Sequence, residues 1–165
     1  MQGHTINHIK SKVRLSRFSI IVTTFLNCAL YISCFFTLRE KPIFFILLSI
    51  ALLLLISGLL YGPISIKADS ECITIGSIMR KQRLMIRNVE SVELFQPTMG
   101  AIRIFGSGGY MGYWGIFRES DIGRYVAYYG KASDCFLVRM KNGDKYVLGC
   151  ENPRPMVNYI SSQIK

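Results

Sequence analysis

The chain has 165 residues, half of them hydrophobic, and a formal net charge of +10. This length accommodates one ordinary domain of about 100 to 150 residues plus a membrane segment, and it excludes a second enzyme-sized domain. The positive charge suits nucleic acid or an anionic membrane, but the sequence has no familiar DNA- or RNA-binding motif. We therefore expect no nucleic-acid partner.

Two apolar runs near the N-terminus are separated by a short charged link. The link is Arg39, Glu40, Lys41 and Pro42. Residues 18–38 and residues 43–61 are each long enough, as helices, to cross about 30 Å of hydrocarbon. They predict a transmembrane helical hairpin over residues 18–62, in which Pro42 lies in the first turn of the second helix.

Basic residues flank the two runs unevenly, which predicts an orientation. Residues 1–17 contain four bases and no acid, whereas the link contains two bases. Because lysine and arginine near span ends remain cytosolic, residues 1–17 are predicted to be a basic cytosolic tail. Both termini are then cytosolic. A cleaved signal peptide is the competing interpretation, and the immediate second run argues against it.

A few polar and small residues interrupt the apolar runs. Asn27 and Ser57 lie at similar predicted depth, and a hydrogen bond between them would stabilise the hairpin by about 0.6 kcal/mol. Gly58 and Gly62 form a G-x-x-x-G pair. This pair favours either helix packing or, because Pro63 follows Gly62, the end of the helix.

Residues 63–165 have the composition of one small β-rich domain. Runs of β-branched and aromatic residues alternate there with polar turn residues, which predicts several strands. The predicted strands are residues 64–68, 72–75, 81–86, 91–96, 123–129, 135–140 and 145–150. Asn142 and Gly143 predict a tight hairpin between the last two strands, with positive φ at both residues. Phe136, Val138 and Met140 are predicted to share one face.

A helix is predicted at the C-terminus, over residues 153–164. Asn152 is its expected cap, Pro153 suits its first turn, and apolar residues recur at helical spacing. Strands followed by one amphipathic helix predict an α+β domain, a small bent β-barrel or sandwich capped by the helix.

A glycine-rich aromatic segment precedes the later strands. It consists of Arg103, Ile104, Phe105, Gly106, Ser107, Gly108, Gly109, Tyr110, then Gly112, Tyr113, Trp114, Gly115, and later Gly123, Arg124, Tyr125. This pattern resembles the signature of the bacterial pleckstrin-homology-like (PH-like) domain family, and Tyr146, Val147, Asn152 and Pro153 resemble its last strand and helix start. The resemblance covers about 100 residues. It implies a PH-like fold, a mostly non-catalytic domain and, often, N-terminal spans.

The sequence offers little for catalysis. The glycines of the aromatic segment fail the dinucleotide fingerprint, since Met111 stands at its last glycine position. Both histidines, His4 and His8, lie in the predicted tail, and the five cysteines form no C-x-x-C pair. We therefore expect no enzyme activity and no catalytic, cofactor-binding or metal-binding residues.

Arginines and aromatic residues cluster in and after the glycine-rich segment. They either meet lipid headgroups, form a groove for a peptide, or fill the core while the glycines serve turns and bulges. The candidate interface residues are Arg103, Tyr110, Tyr113, Trp114, Phe117, Arg118 and Arg124.

These observations favour a membrane-anchored, non-catalytic PH-like module. The resemblance to a bacterial family implies that it is integral in the bacterial inner membrane, and we expect it to bind an unidentified protein or anionic lipid at the cytosolic face. The alternative is a structural or regulatory subunit of a larger membrane complex, such as a transporter, in which the spans contact other chains.

Overall fold

The computed structural model describes residues 8–98 and 100–164. Three helices and ten strands lie in these residues. The helices are α1 Arg17–Phe36, α2 Lys41–Tyr61 and α3 Pro153–Gln163. The strands are β1 His8–Lys12, β2 Ser65–Asp69, β3 Cys72–Gly76, β4 Lys81–Met85, β5 Val89–Leu94, β6 Ile102–Gly109, β7 Gly112–Glu119, β8 Gly123–Tyr129, β9 Cys135–Met140 and β10 Lys145–Gly149.

Helices α1 and α2 form the predicted helical hairpin. The Oγ of Ser16 caps α1 by accepting the N–H of Ser19, and Pro42 lies in the first turn of α2. Most side chains point outward; Phe25 and Leu53 are each 69% exposed. Both helices are long and apolar enough to cross a membrane, which suggests membrane association.

The predicted hydrogen bond between Asn27 and Ser57 is wrong. The Asn27 side-chain amide donates to the carbonyl of Thr23 at 2.7 Å, and the Ser57 hydroxyl donates to the carbonyl of Leu54 at 2.8 Å. A carbonyl one turn back is always within reach of such side chains, so each group is satisfied inside its own helix.

Part of the predicted N-terminal tail is a strand. In β1, His8 lies opposite Asp69 and Lys12 opposite Ser65, so residues 8–12 pair along the whole of β2. Ile9 packs against the core, which explains the pairing. The helical hairpin is therefore an insertion between two adjacent antiparallel strands. The prediction for His4 lies outside the described residues.

The strands form two sheets. The first has the order β1-β2-β3-β4 and is antiparallel; the second has the order β5-β9-β10-β8-β7-β6, with a parallel pair of β8 and β10. Each sheet ends in its own edge strands within the described residues, so of the two predicted arrangements, a bent barrel or a sandwich, the barrel is not closed, while the β-rich domain with its C-terminal helix is confirmed. Helix α3 packs against β1 and β2 of one sheet and β5 and β9 of the other.

The main core lies between the two sheets and α3. Its fully buried residues include Ile66, Ile73, Phe136, Val138, Leu148, Met156 and Ile160. Phe136, Val138 and Met140 all belong to this cluster, which confirms that they share a face. A second buried cluster, with Phe117 and Tyr125, lies on the other face of the second sheet. Parts of that sheet are therefore buried on both faces.

The hairpin between β9 and β10 is confirmed, but its turn is longer than predicted. Met140 donates its N–H to the carbonyl of Asp144 at 2.8 Å, which leaves a three-residue loop. Only Gly143 has positive φ, at 88°, so the expected positive φ at Asn142 is wrong. A glycine closing a three-residue loop is a common hairpin geometry. Asn152 is the N-cap residue of α3, without a side-chain capping bond.

Candidate functional site

The glycine-rich aromatic segment forms a β-hairpin, β6–β7. Gly106 and Gly115 lie opposite each other with φ of 105° and 115°. A Cβ on Gly115 would overlap the carbonyl of Phe105, and one on Gly106 would overlap the carbonyl of Trp114. The two glycines therefore permit a close approach of the two strands, which supports the interpretation that they serve backbone geometry.

The tip of this hairpin lies against both helices. The N–H of Met111 donates to the Oγ1 of Thr23 in α1 at 2.8 Å, and Met111 has a positive φ of 51°. On α2, a Cβ on Gly58 would overlap the sulfur of Met111. Gly62 also contacts Met111 and is the C-cap of α2. The G-x-x-x-G pair therefore accommodates the hairpin tip, and its second glycine ends the helix.

Trp114 connects the domain to the end of α2. It is buried, and its ring stacks on that of Tyr61, with centroids 5.3 Å apart and planes at 21°. Its indole N–H donates to the carbonyl of Tyr110 at 3.2 Å. The Arg80 guanidinium lies 5.3 Å from the Tyr61 ring centroid, which adds a cation–π contact at this junction.

Tyr113 and Phe117 stack on tyrosines of β8. Tyr113 stacks on Tyr129, with centroids 4.8 Å apart, and the buried Phe117 stacks on Tyr125 at 6.0 Å. Burial raises the pKa of both tyrosines, so their hydroxyls stay protonated. Tyr113 and Phe117 also line an open cavity of about 340 Å³.

The last residue of β7, Glu119, has a buried carboxylate. Glu119 accepts the backbone N–H of Thr98 at 2.7 Å, and it also forms a hydrogen bond with the Thr98 hydroxyl. The hydroxyl of Tyr125 lies 3.5 Å from its other oxygen. These partners satisfy the acid, as a buried carboxylate requires, and they fasten the loop before β6.

The three arginines among the candidate interface residues are exposed. Arg118 lies opposite Arg124 across β7 and β8, and Ile102 lies opposite Arg118 on β6. The Arg103 guanidinium lies beside Gly108, nearer the hairpin tip. The structure thus does not bring the seven candidate residues into one surface. Tyr110, Trp114 and Phe117 are buried, and the arginines face solvent.

Sequence reasoning missed an exposed apolar group on β6. Ile102, Ile104 and Phe105 are all exposed, and Phe105 is 72% exposed. The pairing shifts between Arg103 and Phe105, so Ile104 and Phe105 are consecutive exposed residues rather than alternating ones. Three large apolar residues within four positions of the sequence were the available signal.

No candidate metal site occurs in the part of the chain that the structure describes, since no three His, Cys, Asp or Glu side chains are grouped there. All five cysteines are free. Cys135 and Cys150 are buried, and burial raises the pKa of both thiols. Their low thiolate content makes them unreactive.

The comparisons with known proteins identify the family of the domain. The sequence model of the bacterial PH domain family matches residues 64–164, from the residue before β2 to the residue after α3. No curated protein and no solved structure matches the chain. The family match leaves out β1 and the helical hairpin, but it covers more than half of the sequence and all other strands. The chain belongs to the bacterial PH domain family.

Proposed function

We propose that this chain is a non-catalytic binding module held at the cytosolic face of the bacterial inner membrane by the α1–α2 hairpin. The observation that carries the proposal is the pairing of β1 with β2. Since the chain leaves the sheet at Lys12 and returns at Ser65, both flanks of the hairpin lie on one side of the bilayer. Two antiparallel spans satisfy this condition.

The charges near the helix ends support the cytosolic orientation. Arg14, Arg17 and Arg80 lie at the end of the hairpin that adjoins the domain, and all three are exposed. The opposite end has Arg39 and Lys41 beside Glu40. Together with Lys10 and Lys12 in β1, the domain side has the larger number of bases, as the positive-inside rule requires.

The orientation is tested by labelling single cysteines with a membrane-impermeant maleimide, in a background in which all five natural cysteines are replaced by serine or alanine. Ser120→Cys reports the β7–β8 turn of the domain, and Arg39→Cys reports the α1–α2 link. In intact spheroplasts we expect labelling at position 39 only, and in inverted vesicles at position 120 only. Labelling of both positions from one side would contradict the hairpin.

We further propose that the binding partner is a protein with an extended acidic segment, and that it adds to edge strand β6. Three features support this: the exposed Ile102, Ile104 and Phe105, the outer edge of β6, and the neighbouring pair Arg118 and Arg124. An edge strand offers backbone hydrogen bonds, apolar side chains add affinity, and arginines select an acidic segment.

Site-specific photocrosslinking in cells tests this partner. A photoreactive phenylalanine at position 105 should give one adduct of defined mass, and Arg118→Glu with Arg124→Glu should abolish it. The matched control position is Asn158, on the exposed side of α3, which should give none. An adduct of twice the chain's own mass would indicate self-association and contradict an acidic partner.

The alternative role, as a subunit of a larger membrane complex, places the contacts in the spans. The outward side chains of Phe25 and Leu53 are free to meet other helices. The same crosslinker at position 25 or 53 would then give the defined adduct, while position 105 would give none. This comparison separates the two functions in one set of cells.

A further inference from the structure

Rows of basic side chains cross the outer face of the first sheet. Directly paired residues on neighbouring strands point to the same side of a sheet, so the register defines these rows. The middle row is Lys10, Lys67, Thr74 and Arg83. The row nearer the helices is Lys12, Ser65, Gly76 and Lys81. Ile66, Ile73 and Leu84 alternate with them and are buried, which confirms that the rows face outward.

The bases of the two rows form no salt bridge within the described residues, although the pKa of Asp69, which is lowered chiefly by the backbone N–H of Cys72, is lowered slightly further by the charge of Lys67. The salt bridges found among the described residues are Arg14–Glu151, Lys131–Asp134 and Arg139–Glu93, and none includes a base of the two rows. Lys10 and Lys67 lie directly opposite each other, and Arg83 follows two strands further on. Like charges opposite each other destabilise a sheet, and an anion bound between them removes that cost.

Two acids lie at the far end of this face, in the turn between β2 and β3. Asp69 is already engaged, because its carboxylate accepts the N–H groups of Glu71 at 3.0 Å and Cys72 at 2.8 Å. Glu71 is exposed beside it. The acids therefore mark one end of the basic surface, and the end toward the helices is the positive one.

The face is concave. An open cavity of about 430 Å³ lies over it, with Lys10, Lys67, Thr74, Lys81 and Arg83 among its walls and the acids Asp69 and Glu71 lining its far end; we name it the basic trough. Small residues in the central strands form its floor. At Gly76, a Cβ would lie only 2.8 Å from the Ser65 hydroxyl, so even an alanine would crowd the near end of the trough.

The near end of the trough lies beside the end of α2. Ile64, three residues beyond α2, donates its N–H to the carbonyl of Gly76 at 2.8 Å. The β3–β4 turn reaches further along the helix, and Met79 donates its N–H to the carbonyl of Leu59 at 3.1 Å. In this turn Ile78 and Met79 are 56% and 63% exposed. Two apolar side chains thus project next to the trough, level with the last turn of α2.

We infer that the basic trough binds the phosphate-bearing headgroup of an anionic phospholipid in the bilayer that holds α1 and α2. The inference rests on the proposed anchoring and adds a ligand at a second surface, distinct from β6. Lysines and an arginine attract the phosphate, Thr74 offers a hydroxyl donor, and Ile78 with Met79 enters the acyl boundary. A soluble phosphate compound would suit the bases but would leave the exposed apolar turn unexplained.

The test uses the full-length protein in phosphatidylcholine vesicles with trace spin-labelled lipid. Association of labelled phosphatidylglycerol is compared with that of labelled phosphatidylcholine by electron paramagnetic resonance. One base near an anionic surface contributes roughly fivefold to binding, so the native protein should prefer phosphatidylglycerol at least about fivefold. The variant Lys10→Gln/Lys67→Gln/Arg83→Gln should retain no more than about a twofold preference.

A matched variant controls for total charge. Arg87→Gln/Lys141→Gln/Arg154→Gln removes three exposed bases that line neither the trough nor the proposed β6 surface, and it should keep the native preference. An equal loss in both variants would overturn the inference, since any surface charge would then suffice. The native protein in 1 M NaCl should also lose the preference, and a preference that survives this salt overturns the inference without any substitution.

Flotation of the protein with the vesicles is scored in the same samples. Failure of the protein to float with the vesicles would overturn the proposed anchoring and, with it, the inference that the trough binds a lipid headgroup. A protein that floats but binds both labelled lipids equally overturns the inference alone. If tripolyphosphate then protects β1 and β4 from hydrogen exchange, the trough takes a soluble anion instead, which also contradicts the lipid ligand.

Discussion

The β6–β7 hairpin and the outer face of the first sheet both lie next to the helical hairpin, but they contact their surroundings in opposite ways. The β6–β7 hairpin presses its tip against Thr23 and Gly58 and buries Trp114 under Tyr61. The first sheet turns its hydrophobic residues inward and leaves two rows of bases outside, which form no salt bridge within the described residues. The glycine-rich aromatic motif therefore forms the packed contact between the domain and the helices, which we call the joint. The strands of the first sheet instead provide an exposed surface.

This difference separates two roles, packing against the helices and binding a ligand, which cannot be told apart from the sequence alone. Aromatic residues and arginines near a membrane are typical of a lipid interface, yet the aromatic side chains here pack inside the protein. Bases that alternate with apolar residues on short strands are typical of any solvated face. They become a binding surface only when the strands pair and place Lys10, Lys67 and Arg83 in one row.

The largest expected effect is at the joint, in Trp114→Ala. Removing a buried tryptophan costs about 3 to 5 kcal/mol, because packing contacts are lost and a cavity remains. We expect the melting temperature of the protein in detergent, measured by scanning calorimetry, to fall by about 15–25 °C. Arg83→Ala, on the exposed sheet face, should shift it by less than about 3 °C. Similar shifts for the two variants would erase the distinction between joint and surface.

The next effect separates crowding from backbone conformation at Gly115. Gly115→Ala brings a methyl group onto the carbonyl of Phe105 at positive φ, whereas Gly123→Ala meets open space at a φ of 73°. Strain at positive φ alone costs about 1 to 2 kcal/mol, and overpacking adds about as much again. The calorimetric melting temperature should therefore fall about twice as far in the Gly115 variant. Equal losses would mean that the close approach of β6 and β7 does not matter.

A smaller effect is expected where the hairpin tip meets α1. Thr23→Val keeps the side-chain shape but removes the oxygen that accepts the N–H of Met111. An unsatisfied N–H costs about 1 to 3 kcal/mol, so this amide should exchange its hydrogen at least about fivefold faster. Mass spectrometry of the peptide that contains Met111 measures the rate. Thr24→Val, at an exposed neighbour, is the control and should leave the rate unchanged.

The smallest effect is a pH dependence in the first sheet. Backbone N–H groups, chiefly that of Cys72, lower the pKa of Asp69 below 3.8. A lowered pKa contributes stability that is present above pH 3.8 and is lost as the pH falls through the folded-state value. Between pH 5 and pH 3 the native melting temperature should fall a few degrees more than that of Asp69→Asn, since the group is largely solvated. An identical fall would show that this carboxylate does not stabilise the turn.

Much of the fold follows from the sequence, and the exceptions have physical causes. Alternation and helical spacing predicted the helices and most strands, including the hairpin at Gly143. Strand β1 was missed because Lys10 and Lys12 resemble a tail, and its pairing depends on β2, more than fifty positions away. Strands β6 and β7 were missed because glycines and consecutive apolar residues hide their alternation. Their close approach exists only in the paired hairpin.

The candidate site was predictable only in part. The glycine and aromatic motif correctly indicated the family, and among its arginines Arg118 and Arg124 are exposed neighbours. Whether an aromatic side chain faces lipid, a partner or the core depends on what packs over it, and Tyr61 covers Trp114 from a distant helix. The basic trough depends on the register of four strands, which sequence spacing does not encode.

The pairing of β1 with β2 is the central claim, since it makes the helical hairpin an insertion in the chain between two neighbouring strands of one sheet. Its most direct test is disulfide formation in native membranes between Lys10→Cys and Lys67→Cys, which lie opposite each other, in a Cys72→Ser background. Peptide mass spectrometry after mild oxidation should find this disulfide in most molecules. The control pair, Lys10→Cys with Arg83→Cys, is separated by two intervening strands and should form little. Equal yields for the two pairs, or no disulfide between positions 10 and 67, would contradict the claim.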